Sequence, residues 1–542
     1  MKFRPVSLIL LFFIIGISYL PARILTVPGE YATIKFGIIN ASDGDTVMVS
    51  PGTYHEHNIT YYGKAITVMS TDPEDSSVVA TTMIDADSLG PVFVFYSREG
   101  EVSVLKGFTI TGGYHDDGGG IALLEDSNPT ITHNVITGNL ATSRGGGVYC
   151  YSSDPHILNN VINNNKAYYS GGGICCNVFS YPLLEDNLIA NNDSEYGGGI
   201  YCYRSSRPII RKNIIEKNTA SSRGGGICCF YYSSATIIDC NIRENSAGDK
   251  GGGLYFSEYN QGSHLRIEGT IITDNYATNV GGGIYCIDYC APDIINTVIY
   301  GNQSGQKGGG MYCSTNSTPK MVNTIVWNNS PHEIYFHEIE LPNVITVTHS
   351  DIRYGEEGIV TNNNGMINWL EGNISMEPKF VDPDSGDFNL LIGSPCIDSG
   401  TAFFEWEGDT LIFLSPNAYV GDAPDMGAIE YGVTGISDDA ESVRIPLSAV
   451  LHQNYPNPFN PTTTIQFDIP GDPGTKYNVN LTIYNIRGKR VKTLVNNYFH
   501  AGRHRLLWDG TGDSGEKVTS GIYFYNLKCG NKTFNRKMYL IK

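Results

Sequence analysis

Asn218-Thr219-Ala220-Ser221-Ser222-Arg223-Gly224-Gly225-Gly226-Ile227 decides the fold, because the chain writes this stretch again and again. A glycine triplet begins at positions 118, 145, 171, 197, 224, 251, 281 and 308, at intervals of 27, 26, 26, 27, 27, 30 and 27. An asparagine keeps step with it, at Asn139, Asn165, Asn192, Asn218, Asn245, Asn275, Asn302 and Asn329. Between these marks lie apolar bursts such as Ile209-Ile210 and Ile214-Ile215, separated by Gly, Asn, Ser and Pro. Bursts so short cannot form an amphipathic helix, and they read as strands joined by tight turns. Such strands are stable only when stacked: each pairs with its counterpart one coil above and below, about 4.8 Å away, and the inward Ile, Val and Leu make one continuous core. The in-step asparagine is expected to adopt left-handed backbone and to hydrogen-bond to the next asparagine, forming a structural ladder. The glycines are expected to supply the positive φ of sharp corners. The period therefore predicts an all-β fold, a parallel β-helix solenoid.

The composition agrees. The 542 residues carry 36 Lys+Arg against 55 Asp+Glu, a net charge of −19, which repels nucleic-acid backbones and anionic lipid. With 41% hydrophobic residues the chain is not globally disordered. Charge is uneven: residues 449–542 hold 13 Lys/Arg and 5 Asp/Glu, a balance of +8, which leaves −27 for residues 1–448. At the N-terminus Lys2 and Arg4 precede an apolar run over 6–20 and then Pro21-Ala22-Arg23. A run of that length is short for spanning a bilayer, so residues 1–23 are expected to be a signal peptide and the protein to be exported.

Both ends of the repeat region carry family resemblances. Ala41-Ser42-Asp43-Gly44-Asp45-Thr46-Val47, Pro51-Gly52-Thr53-Tyr54 and Gly63-Lys64-Ala65-Ile66-Thr67-Val68 resemble the opening coils of pectate-lyase-like right-handed β-helix proteins. The triplet repeats resemble those of polymorphic outer-membrane proteins. Pro378-Lys379-Phe380-Val381-Asp382, Ser394-Pro395-Cys396-Ile397-Asp398 and Asp425-Met426-Gly427-Ala428-Ile429-Glu430 resemble the closing segment of exported β-helix proteins. Together these imply a right-handed parallel β-helix over 24–431, about 15 coils and about 70 Å at the strand spacing. Residues 432–448 lack periodicity and read as a linker. The alternating strands of 449–542 suit a small β-sandwich. This segment resembles the type A C-terminal sorting domain of the type IX secretion system, which is Ig-like, through Asn454-Tyr455-Pro456-Asn457-Pro458-Phe459-Asn460-Pro461, Tyr484-Asn485-Ile486-Arg487-Gly488, Trp508-Asp509-Gly510, Ser520-Gly521-Ile522-Tyr523 and Lys537-Met538-Tyr539-Leu540. That resemblance implies that outer-membrane secretion machinery is a partner and that the protein crosses the periplasm to an extracellular or surface-attached location. A monomer is expected, with no nucleic-acid partner.

Several residues invite chemistry. Cys150, Cys176, Cys202, Cys229, Cys286 and Cys313 share one slot after the triplet, and Phe256 fills it where Cys is missing. Alternation points that slot inward, so a column of small apolar groups is expected, with disulfides between neighbouring coils left open. No C-x-x-C pair supports zinc. The same alternation turns Tyr149, Tyr201, Tyr255, Tyr285 and Tyr312 outward, joined by Tyr151, Tyr203 and Phe230. Rows of outward rings suit the apolar faces of sugars, and Tyr149, Tyr201, Tyr203, Tyr255, Tyr285 and Tyr312 are the candidate carbohydrate-binding residues. Lyases of the resembled family use calcium and a Lys or Arg base. The charges before the triplets, Asp116, Asp117, Arg144, Glu195, Arg223, Asp249, Lys250 and Lys307, have mixed signs and read as solvated turn charges. Asp382, Asp384 and Asp387 have a spacing that a calcium loop uses, and calcium is the one candidate ion. The expected function is a non-catalytic adhesion or glycan-binding scaffold; the alternative is a polysaccharide lyase or glycoside hydrolase on the same fold.

Overall fold

The quoted decapeptide sits in a coil that turns as its period demands. Ile209–Arg211 belongs to a first sheet; left-handed Lys212 and buried Asn213 turn the chain into Ile214–Glu216 of a second. Left-handed Lys217 and buried Asn218 then turn it into Thr219–Arg223 of a short arm sheet. The glycine triplet leads to Ile227–Phe230 of a face sheet, and the left-handed pair Tyr231-Tyr232 closes the coil. Strands stack in parallel and in register, Leu184 on Ile210, Ile189 on Ile215 and Cys202 on Cys229. The inward residues Ile210, Ile215 and Ile227 are fully buried, each contributing about 1.5–3 kcal/mol.

This computed structural model describes residues 22–257, 265–339, 341–415, 418–432 and 450–540, apart from 452–453, 455–456, 458, 460, 470–475, 501, 514–515 and 531. Residues 1–21 of the expected signal peptide, residues 433–448 of the expected linker, and part of the 454–461 motif lie outside the described residues. The chain forms two compact units, 1–235 and 236–542. The first opens with the helix Ile34–Asn40, capped by the Thr33 side chain, which buries Ile34, Gly37 and Ile38. Its coils have three sheets until the arm sheet begins at Tyr114–Asp117. The second unit repeats the four-strand coil, for instance Arg266–Glu268, Ile271–Thr273, Tyr276–Ala277 and Ile284–Ile287. The fold is the parallel β-helix that the period predicts, of the right-handed kind that the resemblance implies.

Two expectations change in detail. The ladder asparagines do not occupy the left-handed position. The residue before each one does: Asn164, Asn191, Lys217, Glu244, Asp274 and Asn328, or a glycine at 138 and 301. This leaves the asparagine side chain turned inward, where Asn139, Asn165 and Asn192 each donate Nδ2 to the Oδ1 of the next, at 3.0, 3.1 and 3.0 Å. In the second unit Asn245, Asn275 and Asn302 do the same at 3.0, 2.9 and 3.0 Å, and the file ends where Asn329 donates to Glu333 at 2.7 Å. The glycine triplets likewise divide their labour. Only the first glycine has positive φ, as at Gly197 and Gly224. At the second and third the constraint is crowding: a Cβ on Gly198 would lie 2.5 Å from the Thr219 carbonyl oxygen, and one on Gly199 would lie 2.6 Å from that of Gly226.

A second ladder, at the corner between the first and second sheets, escaped the reading of the period. Asn134, Asn160, Asn187 and Asn213 run side chain to side chain at 3.1, 3.1 and 3.0 Å. In the second unit Cys240, Thr270, Thr297, Thr324 and Ser350 hold this corner.

The coils end sooner than expected. The last parallel strand of the first sheet is Gly365–Trp369. Residues 377–431 form instead two antiparallel ladders, Phe380–Asp382 with Asp387–Leu390 and Phe403–Trp406 with Asp409–Phe413. They pack on the flank of the second unit's coils: Phe380, Phe388, Leu390, Cys396 and Met426 cover Val298 and Ile325, while Leu411 and Ile412 cover Ile295 and Val322. Beyond residue 450 a three-stranded and a four-stranded antiparallel sheet enclose Trp508, Phe467, Tyr525 and Leu481. This is the small β-sandwich that the alternating strands predict.

Candidate functional site

The outward tyrosines lie on the face sheet, but their faces are not open to a ligand. Tyr149, Tyr201, Tyr255, Tyr285 and Tyr312 are only 3–5% exposed. In the second unit Tyr255, Tyr285, Tyr312 and Tyr335 stack on one another at 5.1, 5.3 and 5.7 Å, their planes within 14° of parallel. Lys250 covers Tyr285 at 5.4 Å and Lys307 covers Tyr335 at 5.1 Å. In the first unit the column alternates with small residues, Tyr149 beside Cys175 and Cys175 beside Tyr201. The small side chain gives the neighbouring rings room to lean over it, so Cys175 and Cys228 are buried and their thiols are pushed up by desolvation. Tyr203 alone of the six candidates is half-exposed. Most of this row is therefore covered by its neighbours and not an open aromatic strip.

The inward cysteine column is as expected: Cys150, Cys176, Cys202 and Cys229 are in register and fully buried, as are Cys286 and Cys313. All twelve cysteines are free thiols. The Asp382 and Asp387 carboxylates belong to paired residues of one antiparallel ladder, with Asp384 in the turn between them, and Asp387 accepts from both the backbone and the side chain of Asn389. Among the described residues, the group whose ligand atoms all lie within 4.8 Å is a different one, His55, Asp85 and Asp87.

What the face sheet does offer is a cleft of about 430 Å³ in the first unit. Its floor is Val94, Ala122 and Leu124, small enough at Ala122 to leave a hollow where later coils carry tyrosine. Tyr149 and Tyr151 form one wall, their rings 6.4 Å apart, and the arm-sheet residues His115 and Asp117 form the other. The His115 Nδ1 lies 2.9 Å from the Asp117 carbonyl oxygen. The Asp117 backbone nitrogen lies 3.4 Å from the same Nδ1, so the ring is held against the Asp117 backbone. Arg144 pairs in register with Asp117. Burial raises the Asp117 carboxyl above its ordinary range, opposed by the charges of Arg144 and His115, and its Oδ1 is buried without a hydrogen-bond partner. The Tyr149 hydroxyl accepts from Asn177 Nδ2 at 2.9 Å, while Asn177 Oδ1 is itself buried without a partner. Burial pushes the Tyr149 phenol up to about 12. A phenol held there is a poor base at neutral pH, so the cleft is better equipped to hydrogen-bond than to abstract protons.

Of these residues, Asp117 and Arg144 stood out in the sequence as turn charges, and the fold brings them together. His115 and Asn177 carried no pattern of their own. The only signal for Asn177 was that it fills a slot held by Tyr151 and Tyr203 in the adjoining coils.

Comparison with known families agrees with this architecture. The chain is similar to the family described as "right handed beta helix region". The match covers residues 96–265 and 168–305, the glycine-triplet coils and the cleft's later wall. Residues 461–532 match the FlgD Ig-like domain. No curated protein and no solved structure matches the chain.

Proposed function

We propose that this β-helix is an exported, surface-attached or secreted scaffold that binds polysaccharide without cleaving it. The observation that carries the reading is the cleft. A ring wall at Tyr149 and Tyr151 faces polar groups at His115 and Asp117 across an apolar floor, and Asp117 holds a buried oxygen without a partner. Sugar chains need this combination of ring stacking and fixed hydrogen bonds. Delivery by the type IX machinery is part of the proposal, supported by the five motifs of the tail and by its Ig-like relationship to flagellar-hook capping domains.

A second reading is favoured by one observation: Asp117 and His115 line the same cleft and Arg144 pairs in register with Asp117 beside it, a carboxylate next to a basic group as a polysaccharide lyase requires. One experiment separates the two. The purified mature chain is incubated with acidic and neutral polysaccharides, with and without calcium, while unsaturated product is followed by ultraviolet absorption and retention by affinity electrophoresis. Retention without product is expected; product that disappears in Arg144→Ala would establish the lyase instead. Deleting 449–542 is expected to strand the protein in the periplasm of its host, and surface delivery without the tail would defeat the secretion proposal.

A further inference from the structure

The exposed aromatic residues of the first unit gather away from the stacked tyrosine column, at the corner where the face sheet turns back to the first sheet. Phe179 is 58% exposed, Tyr181 42%, Tyr231 43% and Tyr232 39%, with Tyr203 and Phe230 half-buried beneath them. Among these six, the rings of Tyr203, Phe230, Tyr231 and Tyr232 touch one another. Tyr203 stacks on Phe230 with planes 8° apart and lies 5.6 Å from Tyr231, which meets Tyr232 edge-on at 5.0 Å. They come from three successive coils, whose spacing of about 4.8 Å is close to the length of one hexopyranose unit in an extended chain.

The backbone beneath them is the second observation. Phe179, Tyr231 and Tyr232 have φ of 53°, 58° and 63°, the left-handed region, and so does Val178 at 54°. Bulky and β-branched residues are disfavoured there, where Gly or Asn would sit without strain. At the other two corners of the same coils the position is filled by short polar or flexible residues, Asn159, Asp186 and Lys212 at one and Asn164, Asn191 and Lys217 at the other. Strained placement of side chains that keep 39–58% of their surface exposed points to a role outside the fold.

We infer that this aromatic shelf is a binding surface for an extended neutral hexose polysaccharide, separate from the cleft and lying along the coil axis. Four of its six rings, Tyr181, Tyr203, Tyr231 and Tyr232, carry phenolic hydroxyls and no Leu, Ile or Met stands among the exposed residues named, so it suits the mixed apolar and hydroxyl face of a sugar better than a protein partner's aliphatic surface. The nearby charges are already engaged: Arg204 lies over the Tyr203 ring at 5.3 Å, and the Asp154 carboxylate accepts from the Tyr181 backbone at 2.6 Å. The net charge of −19 disfavours a polyanion. The inference shares with the cleft proposal only the ligand class, and its residues are different.

The test uses the full chain carrying Phe179→Asn, Tyr231→Asn and Tyr232→Asn together, with His115→Ala as the cleft control. Retention is measured on microcrystalline cellulose and on soluble xylan and glucomannan, with polygalacturonate as the acidic arm, and thermal unfolding is followed alongside. The shelf variant is expected to lose at least ten-fold in retention on a neutral polymer while its Tm is unchanged or a few degrees higher, because asparagine relieves the left-handed strain. The His115→Ala protein reports the cleft's own share of binding and is expected to keep the part of the retention that the shelf variant loses. The shelf is overturned if the triple variant binds like the parent, if its Tm falls so that the rings are packing elements, if the parent is retained on none of the neutral polymers, or if polygalacturonate alone is bound. Loss in His115→Ala with retention in the triple variant would leave the cleft as the glycan site and remove the shelf.

Discussion

Replacing Asn192 with alanine tests the ladder where it is most completely made. Its Oδ1 accepts from the Asn165 backbone N–H at 3.0 Å and from Asn165 Nδ2 at 3.1 Å, and its Nδ2 donates to Asn218 Oδ1 at 3.0 Å and to the Ile162 carbonyl at 2.9 Å. Alanine removes all four. The Asn165 amide is buried and loses its acceptor, which costs about 1–3 kcal/mol, and three further bonds at about 0.5–1.5 kcal/mol each bring the loss to about 4 kcal/mol after allowing for non-additivity. The neighbouring Asn191, exposed at φ 55°, supplies the left-handed turn and nothing to the ladder, so Asn191→Ala is expected to cost only about 1 kcal/mol. Urea unfolding followed by far-UV circular dichroism measures both. Solenoids do not always unfold in one step, so amide exchange at Asn165 is read in parallel and is expected to accelerate only in Asn192→Ala. If Asn191→Ala proves the more damaging of the two, or Asn192→Ala costs less than 1 kcal/mol, the asparagine is a turn former and the ladder is incidental.

Other outcomes follow from single contacts. Burial raises the Glu333 carboxyl from 4.5 to about 7, with the Asn329 hydrogen bonds opposing. Its contribution is thus fully present below pH 4.5 and is lost as pH rises through 7. The stability of the parent relative to Glu333→Gln should fall over that window, by on the order of 2–3 kcal/mol, and a flat difference in urea midpoints between pH 4.5 and 7.5 would contradict it. In Gly199→Ala the new Cβ meets the Gly226 carbonyl oxygen at 2.6 Å. Prising two backbones apart should cost about 3 kcal/mol, and an unchanged Tm would refute the crowding. Twelve buried free cysteines predict no thiol reaction in the native protein and twelve equivalents after unfolding in denaturant without reductant; a lower count would mean that bridges had formed. Tyr149→Phe removes the acceptor of Asn177 Nδ2 and is expected to destabilise by about 1–2 kcal/mol and to weaken polysaccharide retention in the cleft, which affinity electrophoresis would register.

The period made the solenoid legible because each strand pairs with its own counterpart one coil away, so a repeat in the sequence is a repeat in the register. Alternation also placed Cys202 inside and Tyr201 outside without error. What it could not give is how much of Tyr201 remains uncovered, since that depends on side chains contributed by the coils before and after it. The second asparagine ladder, through Asn160 and Asn187, obeys the same period, but its slot passes to Cys240, Thr270 and Thr297 in the second unit, so no single residue type marks it along the chain. The coil boundary near residue 370 was harder: the segment with Phe380 falls inside the expected 24–431 β-helix, but Phe380 pairs antiparallel with Leu390, and nothing local in a short apolar burst states which neighbour it will choose. The cleft depends on Ala122 being small where Tyr149 is large, a difference between coils that a search for sameness passes over.

The asparagine file has a direction. Along each unit the amides hand one hydrogen to the next coil on the C-terminal side and the other to a carbonyl of the coil before, and Glu333, which can only receive once its carboxyl is ionised, takes the last of the forward ones. An extra coil spliced in upstream would find a donor on one side and an acceptor on the other, whereas one added after Glu333 would meet a group with nothing to offer. The length of the array is therefore free to drift by duplication from within, while its far end carries a full stop written in a single carboxylate.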